Sequence, residues 1–288
     1  MAKNTSQYRR YTRSKAGNIG YFSILIIAGL FMVFPLFYCI ITSLKPLDEL
    51  LIFPPKFFVS RPTLRNYTAL PALLGNLQIP VSRYIFNSLF IAIVSTFLTI
   101  IAGSMSAFTF SKSKVKGRKL LFTVVQLMML YNGYTLGVPQ YLIFSKLGMI
   151  DTFWVFILPA FPSAVYCFLM KQFMDVSVPD TLMEAARIDG AGVMRIYWRI
   201  VMPIMKPAWM TVLLFSFQSM WSVVPGGTVF SEQLKTLPYV MSSVTAGGIA
   251  RAGSSMAITV LLMLPPVLVF LVTQSNVMET MSSSGIKE

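Results

Sequence analysis

The feature that most constrains the fold of this sequence is a series of long stretches without a single charged residue. A helix needs about 20 mainly apolar residues to cross a bilayer, and six stretches reach or approach that length: 16–44, 84–111, 120–145, 152–170, 207–231 and 252–278. A seventh, 66–82, is interrupted by prolines, glycine and amides and is interpreted as extramembrane. Because 55% of the residues are hydrophobic and only 12% are charged, the sequence predicts an all-α integral membrane protein with six transmembrane helices.

The basic residues indicate how these helices are oriented. The net charge is +14, and with a cytoplasmic N-terminus about two thirds of the Lys and Arg residues fall on the inner side, as the positive-inside rule requires. The excess of positive charge is therefore attributed to topology and contact with membrane lipid, not to nucleic acid. The predicted organisation is a cytoplasmic basic tail, a six-helix transmembrane domain with two outer loops and one large inner loop, and a cytoplasmic C-terminal tail: 1–15, 16–278 (outer loops 45–83 and 226–251, inner loop 178–207) and 279–288.

Several classes of function are disfavoured by missing residue types. The chain contains no histidine, which removes the usual general base and metal ligand, and it lacks the G-x-x-x-x-G-K-[ST] loop that binds the phosphates of ATP. The predicted helices carry essentially no ionisable groups, which counts against a proton-driven carrier, although sodium coupling stays open. We therefore expect no catalytic residue, no metal site and no cofactor in this chain.

The polar inner loop 178–207 interrupts the apolar pattern. Thr181 and Glu184 have the spacing of a capping box, which predicts a short helix from 182, and Gly190 is suited to a left-handed turn that ends it. A second helix is predicted from about 192 to 201, ended by Pro203 and Pro207. Two interpretations are open at this point: an amphipathic hairpin that rests on lipid headgroups, or a docking element for a cytoplasmic protein.

The same loop carries a family resemblance. Its sequence EAARIDGAGVMRIYWRIVMPIMKP resembles the EAA loop, E-A-A-x-x-x-G, of permease subunits in bacterial binding-protein-dependent ABC importers. Residues 88–122 are similar to the second-helix region of the maltose-type (MalG-like) sugar permeases, and LGMIDT, KTLPYV and LPPVLVF lie where that family has similar stretches. The IDGA form that follows EAA is typical of the carbohydrate class.

The resemblance implies specific roles and partners. Six residues are implied to form the coupling helix that contacts the ATPase subunit: Glu184, Ala185, Ala186, Asp189, Gly190 and Ala191. The implied partners are a second, homologous permease subunit (a heterodimer), two cytoplasmic ATPase subunits that bind the ATP, and an extracytoplasmic sugar-binding protein that meets loop 226–251. The implied location is the bacterial plasma (inner) membrane. The sequence departs from the family at Trp221-Ser222, where Trp-Asn is common, and at 131–134, where a proline is common.

Polar and aromatic residues within two predicted helices are candidates for lining a translocation pathway. Asn132 and Gln218 fall near mid-membrane, and Tyr131, Tyr134 and Trp221 lie close to them in sequence. Uncharged amides, hydroxyls and aromatic rings suit a neutral polyhydroxy solute, but such groups also join neighbouring helices. The predicted function is a permease subunit of an ABC importer for a sugar or oligosaccharide. The alternatives are a stand-alone channel or secondary carrier, and the same importer type for a non-sugar solute.

Overall fold

A computed structural model describes residues 15–73, 79–131 and 133–285, and all regular elements within these ranges are helical. In chain order the α-helices are α1 (Lys15–Ser43), α2 (Leu47–Leu50), α3 (Arg65–Thr68), α4 (Leu70–Leu73), α5 (Val81–Lys112), α6 (Arg118–Met128), α7 (Gly137–Lys146), α8 (Trp154–Ala160), α9 (Ala164–Ser177), α10 (Asp180–Ile188), α11 (Val193–Ile196), α12 (Met202–Ile204), α13 (Lys206–Trp221), α14 (Leu237–Thr245) and α15 (Ala252–Gly285). The all-α prediction is confirmed.

Among the described residues, four helical stretches are long and apolar enough to cross a membrane. They are Gly17–Ser43, Val81–Lys112, Trp154–Ser177 and Ile249–Val277. A fifth arises if Val193–Ile204 and Lys206–Trp221, which meet at an angle of 77°, form one bent span. The protein is therefore a multispanning membrane protein.

The third predicted helix is not continuous. Instead of one helix over 120–145, α6 ends at Met128 and α7 begins at Gly137, with a short 3-10 helix over Gly133–Leu136 between them. The prediction of a continuous helix here was wrong. The stretch 120–145 is apolar enough to span a bilayer, but its hydropathy does not show where a helix ends.

Two further boundaries differ from the prediction. The fourth span is kinked at 161–163 and continues to Ser177, and α13 ends at Trp221, well before residue 231. In the second case the charge-free run continues into a loop that contains Pro225, Gly226 and Gly227. A lack of charge predicts membrane compatibility, but it does not set the helix end.

Helix α5 is the centre of the packing. It lies against α8, α9 and α13, while α15 packs on α13 and α1. Small and hydroxyl side chains, such as Ser95, Thr99 and Gly103, lie buried along α5, which lets the neighbouring helices approach closely. Most of α1 is exposed between Ile19 and Phe37, as expected of a helix that faces lipid.

Candidate coupling surface and translocation face

Residues 178–207 fold into two helices joined by a glycine turn. Gly190 adopts φ +75°, the left-handed conformation predicted for it, and the N–H of Ala191 donates to the carbonyl of Ala186 at 2.9 Å to close the turn. A side chain with a Cβ resists this conformation, so glycine at this position has a direct structural reason. The turn reverses the chain between α10 and α11.

The predicted capping box is not formed. α10 begins at Asp180 with Pro179 as its N-cap residue, and no side chain caps it, so Thr181 lies within the helix. Proline at the cap position starts the helix early because its fixed φ and missing N–H suit a helix start. The second helix also differs from the prediction. It passes through a π-helical turn, Tyr197–Val201, continues past Pro203 and ends at Ile204.

One face of this hairpin is anchored in the helix core. Met183 and Ala186 of α10 are buried with Ile196 and Tyr197 in a cluster that includes residues of α5, α9 and α13. The hydroxyls of Tyr197 and Ser104 lie 2.6 Å apart, which links the π-helical turn to α5 by a buried hydrogen bond. By contrast, Val193 at the start of α11 is exposed.

A charge pair provides a second connection to α5. Lys112, the last residue of α5, lies with its ammonium 2.8 Å from a carboxylate oxygen of Asp180 at the start of α10. The hydrogen bond from Lys112, and then its charge, hold the pKa of Asp180 below its ordinary value. The Lys112 side chain is almost fully buried while that of Asp180 is exposed, so the pair lies at the edge of the contact between α5 and α10.

The opposite face of the hairpin exposes apolar side chains. Ile188 is 87% exposed, and Leu182, Val193 and Met194 are also exposed. These four residues flank the glycine turn and are called the hairpin surface below. Exposed clusters of this kind mark interaction sites when they adjoin charged residues, and Glu184 and Asp189 are exposed beside them.

The six residues assigned to coupling are divided between the two faces. Glu184, Ala185, Asp189 and Gly190 lie on the exposed side, whereas Ala186 is buried and Ala191 is half-buried against the helix core. The small alanine at 186 thus lets α10 approach its own helix bundle closely. The part of the motif presented outward is the edge formed by Glu184, Ala185 and the turn.

The residues assigned to the pathway are also separated by the structure. Gln218 is exposed on α13 together with Phe215, Ser219 and Ser222, spaced along one helix face. Tyr131 is exposed at the end of the α6 segment, where the third span is interrupted. Asn132 lies outside the described residues, and Tyr134 lies in the 3-10 helix Gly133–Leu136.

Trp221 does not belong to this exposed set. It is 2% exposed, stacks on Phe217, and its indole N–H donates to the carbonyl of Leu262 in α15 at 2.8 Å. In this structure Trp221 joins α13 to α15. The pairing satisfies a carbonyl at a proline-containing part of α15, where Pro266 supplies no N–H to the carbonyl of Leu262.

An aspartate that sequence reasoning did not single out organises the loop after α13. Asp151 has φ +60°, and its carboxylate accepts hydrogen bonds from the N–H groups of Phe230 (2.9 Å) and Ser231 (2.8 Å) and from the Ser231 hydroxyl. Its own N–H donates to the carbonyl of Thr228 at 2.9 Å. These bonds, called the Asp151 clamp below, hold the pKa of Asp151 below its ordinary value, with the Ser231 hydroxyl the largest cause.

A cavity of about 450 Å³ lies between this loop and the interrupted third span. Its lining combines aromatic rings, an amide and flexible backbone: Gly137, Gln140, Tyr141, Phe144, Val155, Phe156, Val223, Val224, Gly226, Gly227 and Thr228. The cavity therefore lies between Gln140 on α7 and residues 226–228, next to the Asp151 clamp.

Comparison with known proteins identifies the family. Residues 99–282 match the family of binding-protein-dependent transport system inner membrane components. The chain belongs to this family. The resemblance drawn from the EAA loop is thereby confirmed, and membership implies that this permease works with an ATPase and a binding protein. It is a transport component, not an enzyme.

Relatives match this permease over nearly its whole length. The inner membrane ABC transporter permease protein YcjP of Escherichia coli is 25% identical, covering 93% of this chain and 96% of that protein. The arabinooligosaccharides transport permease AraQ of Bacillus subtilis is 27% identical over 90% and 92%, and the lactose transport permease LacG of Rhizobium radiobacter is 26% identical over 94% and 97%.

A solved structure has the same fold. A chain of a bacterial ABC transporter that imports the acidic polysaccharide alginate superposes with a TM-score of 0.75 at 19% identity, covering 91% of this permease and 98% of that chain. The helical arrangement described above is therefore that of an ABC importer permease.

Proposed function

We propose that this permease imports a sugar or oligosaccharide, with its hairpin surface docked on a cytoplasmic ATPase subunit. The observation that supports docking is that one face of the hairpin is buried in the helix core and the other is exposed. Met183 and Ala186 fix it to the helix core, whereas Ile188, Val193 and Met194 project outward. A hairpin that only rested on headgroups would not need a buried link such as Tyr197–Ser104.

The hairpin is built to pass movement to the transmembrane helices. The Lys112–Asp180 pair and the Tyr197–Ser104 hydrogen bond both end on α5, which also packs on α9 and α13. Closure of ATP-bound ATPase subunits would push on the hairpin surface and shift α5 with it. Alternating access then follows from the rocking of packed helices around a solute site.

The solute passes, in this proposal, along the Gln218 face of α13 and the interruption of the third span. Non-helical backbone at membrane depth is tolerated where it is covered by protein or lines a water-filled cavity. The stretches 120–145 and 207–231 carry no charge, which suits a neutral polyhydroxy solute that bonds to amides and hydroxyls. Relatives named for arabinooligosaccharides and lactose support this substrate class.

The complete pathway requires further subunits. We place a homologous, non-identical permease against the Gln218 face, two ATPase subunits on the inner side, and a sugar-binding protein on the outer loop 226–251. In this proposal α13 alone is the fifth span and the third crosses as α6 and α7 together, which brings the number of spans to six and puts both termini in the cytoplasm.

The test uses two matched substitutions of exposed aliphatic residues. Ile188→Asp changes the hairpin surface, and Val115→Asp changes another exposed residue, in the short turn between α5 and α6. Burial of an isoleucine side chain contributes about 1.5–3 kcal/mol, so Ile188→Asp should lower ATPase co-purification at least tenfold while Val115→Asp has little effect. Full ATPase recovery with Ile188→Asp would overturn the docking proposal.

The substrate class is tested separately from docking. The binding protein encoded with this permease is purified and its bound ligand identified by mass spectrometry, followed by uptake of that labelled ligand in cells. A sugar or oligosaccharide is expected. A peptide, amino acid or metal ion would refute the substrate proposal and leave the docking proposal standing.

A further inference from the structure

The outer segment between α1 and α5 contains a folded unit, residues 44–73, called the outer cap below. The Asn66 amide donates to the carbonyls of Ser43 (2.8 Å) and Lys45 (2.7 Å). The buried carboxylate of Glu49 accepts the N–H groups of Ser60 (3.1 Å) and Arg61 (2.9 Å). These bonds close the base of the loop that runs from Leu51 to Phe58, so the loop has a defined position.

This loop lies beside the outer part of α1. The ring of Phe57 stacks on Phe34 with centroids 5.0 Å apart and lies 5.8 Å from the ring of Tyr38. At 1.5 Å per residue, Phe34 lies about 13 Å and Tyr38 about 8 Å along α1 from its outer end at Ser43. At Phe57 the loop therefore lies alongside α1, about 8–13 Å below the outer end of that helix.

The tip of the loop exposes large apolar side chains at that depth. Phe53 is 93% exposed, and Leu51, Ile52 and Phe58 are also exposed. The Lys45 ammonium donates to the carbonyl of Lys56, which holds the tip against α1. Such a cluster in contact with water is unfavourable, so something apolar is expected to cover it.

We propose that residues 51–58 form an interfacial anchor that inserts Phe53 and Phe58 into the outer leaflet of the bilayer. The anchor lies next to α1 in space. Phe34 of α1, which it contacts through Phe57, lies within a candidate membrane span and is 54% exposed. The stretch contains no acidic residue, and its one charge, Lys56, is suited to lipid phosphates at headgroup level.

The experiment measures lipid contact at single positions. In a Cys39→Ser and Cys167→Ser background, Phe53→Cys and Phe58→Cys are labelled with the fluorophore NBD. The full-length chain and its co-purifying subunits are placed in nanodiscs of phosphatidylethanolamine and phosphatidylglycerol, with or without doxyl-labelled lipid. Leu64→Cys is the matched control. Leu64 is 64% exposed in the same cap, but its neighbour Thr63 bonds to the carbonyl of Leu44 at 2.9 Å, level with the end of α1.

We expect about threefold stronger quenching by doxyl lipid at positions 53 and 58 than at 64, with the reverse order for aqueous iodide, since interfacial segments bury about 5–10 Å into the leaflet. Iodide quenching at 53 and 58 equal to that at 64 would overturn the proposal. Protection from both quenchers would overturn it too, because a protein surface would then cover the loop. Neither result bears on the proposed substrate or on ATPase docking.

Discussion

The Asp151 clamp allows a prediction that separates hydrogen bonding from backbone conformation. Three substitutions are compared: Asp151→Asn, Asp151→Gly and Asp151→Ala. Asparagine tolerates the left-handed conformation and can still accept the two N–H groups of Phe230 and Ser231. Glycine accepts none of these bonds but adopts φ +60° without strain. Alanine loses the bonds and is also strained.

The magnitudes follow from the geometry. Each of the three bonds to the carboxylate contributes about 1 kcal/mol net, because the site is partly exposed and solvent competes. A residue with a Cβ in the left-handed conformation costs about 1–2 kcal/mol. Alanine keeps the Cβ strain that wild-type Asp151 already carries, whereas glycine relieves it. The free energy of opening the loop should therefore fall by about 1 kcal/mol for Asp151→Asn, about 3 for Asp151→Ala and about 1–2 for Asp151→Gly.

Hydrogen–deuterium exchange of residues 226–231 in nanodiscs measures this opening directly. Since 1.4 kcal/mol corresponds to a tenfold change in an equilibrium constant, exchange should be about tenfold faster in Asp151→Gly and about a hundredfold faster in Asp151→Ala. Peptides from α9 serve as the internal control and should not change. Equal exchange in all four proteins would show that the clamp does not hold the loop.

The clamp should also depend on pH in a defined direction. The pKa of Asp151 is below its ordinary value of 3.8, so the folded protein favours the ionised carboxylate. Its contribution is fully present above pH 3.8 and is lost as the pH falls through the lower folded pKa. Faster exchange at residues 226–231 is expected in the wild type on acidification, and Asp151→Gly should not show this component.

Three further outcomes are expected. Gly190→Val places a β-branched residue at φ +75° and should reduce ATPase co-purification, whereas Gly190→Asn should be tolerated; equal recovery of both would contradict the strain argument. Tyr197→Phe with Ser104→Ala in a double-mutant cycle should show a coupling of about 1 kcal/mol in thermal unfolding, and additivity would mean that their hydrogen bond contributes nothing. Gln218→Leu should lower solute uptake with an unchanged melting temperature, and normal uptake would remove this residue from the pathway.

Much of the fold is encoded locally and was predictable from the sequence. Each of the six charge-free stretches contains helical structure, because a chain in a bilayer must satisfy its backbone hydrogen bonds within the segment itself. The turn at Gly190 was also predictable, because the left-handed conformation that it needs depends on a single residue without a Cβ. The EAA loop identified the family because its residues are contiguous.

The features that the sequence did not reveal depend on residues far apart in the chain. In the sequence, Trp221 is an aromatic residue with a polar N–H in a predicted span. Its role as a buried link between helices depends on the carbonyl of Leu262, 41 positions away, which accepts its indole N–H. In the sequence, Ala186 belongs to a docking motif, but in the structure it is buried against other helices. Asp151 carried no local signal because its partners lie about 80 positions away. Local chemistry thus determined which segments are apolar and helical and where the chain turns after α10, whereas tertiary packing decided which side chains each helix buries and which it leaves exposed.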